Sequence, residues 1–219
     1  MYKIISLFLS LPKTIYFNLR YFGIKMGLKL PVLVSHQVHL KALNGQLLIE
    51  NPTRFGVRIG FGDVGIFDKQ KSRGIWQVNG KVVFMGKSHL GHGAKISVGK
   101  NGVLKFGDNF TITAESSIIC NKSISFGKET LISWENLIMD TDFHTINDAD
   151  GNKINHDGSI HIGNHVWIGS RCTILKGAQI PDETVIASNS VITRKYSGNN
   201  LVIGGNPPKV LKENITWIM

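Results

Sequence analysis

From residue 162 onward isoleucine returns at every sixth position: Ile162, Ile168, Ile174, Ile180, Ile186 and Ile192. The fifth place of each hexad is small or β-branched: Val166, Cys172, Ala178, Thr184 and Ser190. An earlier block holds the same spacing at Phe106, Ile112 and Ile118, and resumes after a two-residue slip at Phe126, Ile132 and Ile138. Weaker hexads precede it at Phe84, Leu90 and Ile96. A period of six matches neither a helix nor simple strand alternation. It fits a short strand plus a corner, repeated, with three faces closing a triangular coil of about 18 residues. The hexad aliphatic fills the prism and the small residue takes the narrow corner. Glycines such as Gly127, Gly163 and Gly169 supply positive φ where a corner demands it. One coil cannot bury its own aliphatics, so several stack. An all-β sandwich would space its turns irregularly. The expected fold is therefore all-β, a parallel β-helix over residues 56–196, with an N-terminal segment at 1–55 and a C-terminal extension at 197–219.

The hexads break between Ile138 and Ile160, where the chain is polar and rich in Asp, Asn and Gly. That stretch, residues 139–159, is too long for a corner and reads as a loop protruding from a rigid scaffold, the usual place for binding and catalysis. Residues 1–30 are different again. Lys3, Lys13, Arg20, Lys25 and Lys29 accompany Phe8, Tyr16, Phe17, Tyr21 and Phe22. Two readings fit: a helix lying on an anionic membrane face, or a helix capping the end of the main domain. No run is apolar for the roughly 18 residues a membrane span needs, and no small-residue cleavage site follows the Ile4–Leu11 run. Both readings keep the protein in the cytoplasm, in the first case at the inner face of the membrane.

Charge narrows the partners. The 219 residues carry 25 Lys and Arg against 15 Asp and Glu, a net charge of +10, which favours anionic partners. The cations are scattered with no aromatic–basic reading platform, which disfavours nucleic acid. Cys120 and Cys172 are too few for a disulfide framework or a four-cysteine zinc site.

The hexads, the segment Ile162–Gly169 (IGNHVWIG), the segment Asp140–His144 (DTDFH) and the late GGNPPKVLK segment resemble the hexapeptide-repeat acyltransferases, whose coil is a left-handed parallel β-helix. The likeness covers about residues 80–212 and is nearest to sugar and polysaccharide O-acetyltransferases. It implies a homotrimer with active sites between subunits, acetyl-CoA as co-substrate, no metal, and a sugar hydroxyl as acceptor in capsule, lipopolysaccharide or other surface polysaccharide assembly. In that family the catalytic histidine sits on a loop that His144 matches. Acetyl transfer needs a base for the hydroxyl proton, and imidazole, with a free pKa of about 6.5, is largely neutral at pH 7. Asp142, with Asp140 as the alternative, would orient the ring. Ser170 matches the backbone donor for the oxyanion, and Trp167 would flank the acetyl and pantetheine end. Ser188, Thr193, Arg194 and Lys212 match the slot for the coenzyme phosphates, with Lys209 a further candidate. One departure stands out: related sugar acetyltransferases hold the acceptor with an asparagine where this chain reads Thr113-Ala114-Glu115-Ser116.

Three other readings compete: an N-acetyltransferase on a nucleotide-linked amino sugar, a γ-carbonic-anhydrase-like metalloprotein, and a non-catalytic solenoid. The metal reading draws on His156, His161 and His165. The spacing of His161 and His165 would bring ligands together on a helix but sets them around a corner on hexad coils.

Overall fold

A computed structural model describes residues 2–218, with side chains from Ile5 onward, so the Lys3 side chain named above lies outside the described residues. The chain begins with helix α1 (Tyr2–Gly27), kinked at Gly23, and then winds through three sheets in turn. The first coil is β1 (Val32–Val34) in sheet A, β2 (His39–Leu43) in sheet B and β3 (Gln46–Ile49) in sheet C. Sheets A, B and C reach nine, seven and six strands, all parallel apart from the final pairing of 202–205 with 208–212.

The register explains the period. In sheet A, Ile112, Ile132, Ile168, Ile186 and Ile203 stack as successive partners. In sheet B the column is Ile96, Ile118, Ile138, Ile174 and Ile192. In sheet C it is Phe84, Phe106, Phe126, Ile162 and Ile180, where Phe106 stacks on Phe84 at 4.9 Å and on Phe126 at 5.5 Å between ring centroids. Every member is buried, as are the fifth-place residues Val166, Cys172, Ala178, Thr184 and Ser190. The two-residue slip before Phe126 falls where the strands 117–120 and 123–126 are longer and each bury two side chains, Ile118 with Cys120 and Ile124 with Phe126. Both cysteines are free and buried, and burial pushes both thiols up.

Three expectations are corrected. The prism starts at Val32, well before residue 56, because β1–β3 already pair with the following coil. It also runs past residue 196, since 202–205 pairs in parallel with 185–186. Gly127, Gly163 and Gly169 do not supply positive φ. That conformation is taken by Glu129, His165 and Glu183 on one edge and by Glu135, Arg171 and Asn189 on another. Gly127 and Gly163 are required by close approach instead: a Cβ on Gly127 would lie 2.5 Å from the Gly163 backbone.

Helix α1 covers the open edge of β1. Ser10, Thr14 and Asn18, four residues apart, line one helical face and are fully buried. The Val32 N–H donates to Asn18 Oδ1 at 3.1 Å, and Asn18 Nδ2 donates to the Val32 carbonyl at 2.6 Å. The Val34 N–H donates to Thr14 Oγ1 at 3.0 Å, and that hydroxyl donates back to the Val34 carbonyl at 3.1 Å. The His36 N–H donates to Ser10 Oγ at 3.0 Å. Side chains thus replace the missing strand, meeting groups that would otherwise be buried without partners. Phe17 packs edge-on against Trp76 at 5.5 Å, and the Trp76 indole N–H donates to the Tyr21 hydroxyl at 3.0 Å, plugging the prism.

Two excursions leave the coil: residues 62–74 between sheets A and B, and 140–159 between sheets B and C. The second is the loop the sequence marks.

Candidate active site

The 140–159 excursion is anchored at its base and exposed at its tip. Asp140 is fully buried, and its carboxylate accepts three backbone N–H groups from the preceding coil: Asn121 at 2.7 Å, Lys122 at 2.9 Å and Ser123 at 2.8 Å. Asn155 is the second anchor. Its amide donates to the His144 carbonyl at 2.8 Å and to Asp142 Oδ2 at 2.9 Å, and its oxygen accepts the Ile146 N–H at 2.7 Å. Beyond that, Ile146–Ile154 forms a small hairpin turned at Asp148. Together these bonds hold the His144 backbone on the rigid prism while its side chain stands in solvent.

The two aspartates do not orient the ring within one chain. Asp140 spends its oxygens on the coil backbone. Asp142 Oδ2 accepts from Lys176 Nζ at 2.5 Å and from Asn155, while its carbonyl accepts the His144 N–H at 2.7 Å. The Lys176 bond first, and the Asn155 bond second, hold the Asp142 carboxyl below the usual carboxylate range. Both residues fix the loop, and Lys176 and Asn155 are supports of that loop which the sequence reading missed. Asn155 carries no spacing signal because its role is the closure of a loop. Lys176 sits in an ordinary corner, and only the stacking of coils brings it to Asp142.

The remaining predicted residues occupy other places on the prism. Trp167 lies on sheet A, half-exposed, with its indole N–H donated to Ser133 Oγ at 3.1 Å. Ser170 follows at the corner toward sheet B. Its hydroxyl donates to Ser188 Oγ at 3.3 Å, and its N–H has no partner among the described residues. Thr193 and Arg194 follow strand 191–192 of sheet B. The Arg194 guanidinium packs over Tyr196 at 5.2 Å and donates to the Pro208 carbonyl at 3.1 Å, which ties it to the strand 208–212 that carries exposed Lys209 and Lys212. These cations and hydroxyls have the right chemistry for phosphates. His144 leaves the corner between sheets B and C, whereas Trp167 stands on sheet A. A single chain does not bring the two together.

The three-histidine constellation does not form. His161 Nδ1 bonds Ser125 Oγ at 2.8 Å on sheet C. His165 Nδ1 meets Glu183 at 2.6 Å, and its ring stacks on Trp217 at 4.1 Å. Among the described residues no group of three His, Cys, Asp or Glu could hold a metal ion.

Residues 159–194 match the family described as bacterial transferase hexapeptide (six repeats). A polysialic acid O-acetyltransferase of Neisseria meningitidis is 41% identical over 104 residues, covering 47% of this chain and 48% of the relative. An uncharacterized 24.8 kDa protein from the cps region of Klebsiella pneumoniae is 34% identical over 146 residues, covering 67% of this chain and 62% of the relative. The matches thus span about half and about three-fifths of those two curated relatives. The crystal structure of the polysialic acid O-acetyltransferase OatWY superposes with a TM-score of 0.54 at 25% identity, covering 84% of this chain and 88% of that one. With its six-residue period, three parallel sheets and a superposition on a polysialic acid O-acetyltransferase structure, the chain folds as a left-handed parallel β-helix, and its residues 159–194 carry the hexapeptide repeat of the bacterial transferases.

Proposed function

We propose that the protein transfers acetyl from acetyl-CoA to a sugar hydroxyl of a surface polysaccharide, with His144 as general base. The carrying observation is the 140–159 excursion, which breaks an otherwise continuous coil and presents one imidazole on a backbone fixed by Asp140 and Asn155. The named activities of the relatives agree with this chemistry. In the reaction, the acceptor oxygen attacks the thioester carbon as His144 takes its proton. The Ser170 N–H stabilises the oxyanion. The tetrahedral intermediate then collapses with loss of the thiolate, which takes the proton from the imidazolium. Ser188, Thr193, Arg194, Lys209 and Lys212 hold the coenzyme phosphates.

The active unit in this reading is a homotrimer, in which the loop of one copy meets Trp167 and Ser170 of the next. Phe143, Ile146 and Ile154 support it: they are 63%, 54% and 60% exposed on a loop whose base is tightly bonded, an apolar surface that a second copy would cover. Sedimentation at three times the chain mass is the expected result. Thiol release from acetyl-CoA, followed across a panel of sugars for the wild type and His144→Ala, tests the chemistry. Equal turnover by the two would remove the proposal.

The outward side of α1 supports a peripheral membrane contact through residues 1–30. Ile5, Phe8, Leu9 and Tyr16 are exposed opposite the face that caps β1. The chain has no acidic residue before Glu50. Among the described residues no helix is long and apolar enough to cross a membrane. Co-flotation with anionic but not zwitterionic vesicles is expected, and loss of Phe8 and Leu9 side chains should abolish it.

A further inference from the structure

The other excursion, residues 62–74, roofs a recess at the opposite end of the prism from the coenzyme-binding candidates. The cavity measures about 480 Å³ and lies between this loop, the first two coils and the start of α1. At its base is His92, the last residue of the strand 88–92, only 1% exposed. Its ring meets the edge of Phe67 at 5.9 Å, and neither ring nitrogen has a hydrogen-bond partner. A buried imidazole with both nitrogens unmatched is costly and rare in a folded chain. Burial lowers the pKa of this ring, and a neutral imidazole offers one donor and one acceptor.

The cavity wall supplies complementary groups. Arg58 projects from the strand 57–61 with its guanidinium over the Phe61 ring at 5.6 Å and has no ion-pair partner among the described residues. Gln37, Gln70 and Ser35 add amides and a hydroxyl. Lys69 and Asp63 pair with one another at 2.8 Å and so add no net charge. What remains is one uncompensated cation, an aromatic face, several neutral polar groups and an unmet donor–acceptor pair at depth. That set suits a sugar carrying one carboxylate.

Arg58 also lines a second, open groove of about 810 Å³. This groove follows sheet A past Arg54, Lys87 and His89 to His165 and Ile218, beside Trp167. Its cations outnumber its single acid, Glu129.

We infer that the cavity under residues 62–74 seats one acidic sugar of a glycan chain that continues along sheet A toward Trp167. The inference rests on the reading of a glycan acceptor, and it names that acceptor as an acidic chain longer than one unit. It also offers a physical substitute for the acceptor-binding asparagine that Thr113–Ser116 lacks: the chain is held at a distance from the reacting hydroxyl.

Binding without acetyl-CoA tests it, so that its failure separates from failure of the transferase reading. Calorimetry on the full chain would compare a sialic acid trimer and a galacturonic acid trimer with their monomers and with neutral maltotriose. An acidic trimer should bind at least tenfold more tightly than its monomer and than maltotriose. Arg58→Gln should weaken the trimer roughly tenfold or more, and His92→Gln should weaken monomer and trimer alike. Both variants should keep the wild-type KM for acetyl-CoA. Where His92→Gln does not fold, Phe61→Leu replaces it with the same expectation. Maltotriose binding as well as both acidic trimers, a monomer as tight as its trimer, or an unchanged affinity in Arg58→Gln would each overturn the inference.

Discussion

Replacing Asp140 by asparagine separates a structural aspartate from a catalytic one. Its Oδ1 accepts one backbone N–H and its Oδ2 accepts two, all within 2.9 Å, and the residue has no exposed surface. A carboxamide offers a single oxygen. In either orientation its NH2 faces at least one N–H donor, so at least one charge-assisted bond becomes a donor–donor contact. Bonds to charged groups contribute about 1.5–3 kcal/mol each, and a stranded buried donor costs about 1–3 kcal/mol. The expected destabilisation is about 2–4 kcal/mol, a large part of a total of about 5–15 kcal/mol. Cys120, whose thiol is pushed up to about 12 by burial first and by the Asp140 charge second, stays protonated in the variant, because burial remains. Urea unfolding measures the loss as a lower midpoint at constant slope. Thiol release well below the transition should stay within a few-fold of wild type. A variant as stable as wild type but slowed a hundredfold would refute the reasoning, because Asp140 would then have to act on the imidazole.

Further outcomes follow from the same geometry. His144→Ala should unfold at the wild-type temperature while losing about 10²-fold or more in turnover, measured by thiol release. Arg194→Ala should raise the KM for acetyl-CoA more than it lowers kcat in steady-state kinetics. Asn18→Ala strands the Val32 N–H and carbonyl under α1 and should cost about 2–4 kcal/mol by urea unfolding. Burial depresses the pKa of both His89 and His92, so each folded value lies below the unfolded one. The unfolded chain therefore binds more protons below about pH 6.5. Their stabilising effect is complete above that pH and is lost as pH falls through the unfolded pKa toward the folded ones, by at most about 1.4 kcal/mol per histidine per unit. Unfolding free energies measured from pH 7.5 to 5.5 should decline, and the decline should be shallower in His92→Gln.

The period-six isoleucines were readable because each occupies one column of one sheet, and a stacked column tolerates little else. The first coil was not readable. Its inward positions include Leu40, Leu43, Leu47 and Ile49, and their spacing is disturbed by a register shift in β2. Its open edge is completed by Ser10, Thr14 and Asn18, polar residues that look like solvent-facing positions in an apolar helix. The 62–74 excursion escaped notice for a similar reason: the hexads around it are too weak for an interruption to stand out. At the candidate site His144 was legible through its motif. Its supports were not, since Asn155 and Lys176 meet Asp142 only through loop closure and coil stacking. Neither Asp140 nor Asp142 is bonded to the ring within one chain, because their carboxylates are taken by coil backbone and by Lys176 and Asn155, partners that no spacing reveals.

A repeating coil has no internal instruction to stop. Sheet A is closed at its start by three helical side chains that imitate a neighbouring strand and at its finish by an antiparallel return. The rod's length is therefore set by these two stoppers and not by the repeat. With α1 removed, the bare β1 edge would be free to accept any extended chain, and truncated copies would be expected to pair through that one edge while the opposite end stays closed.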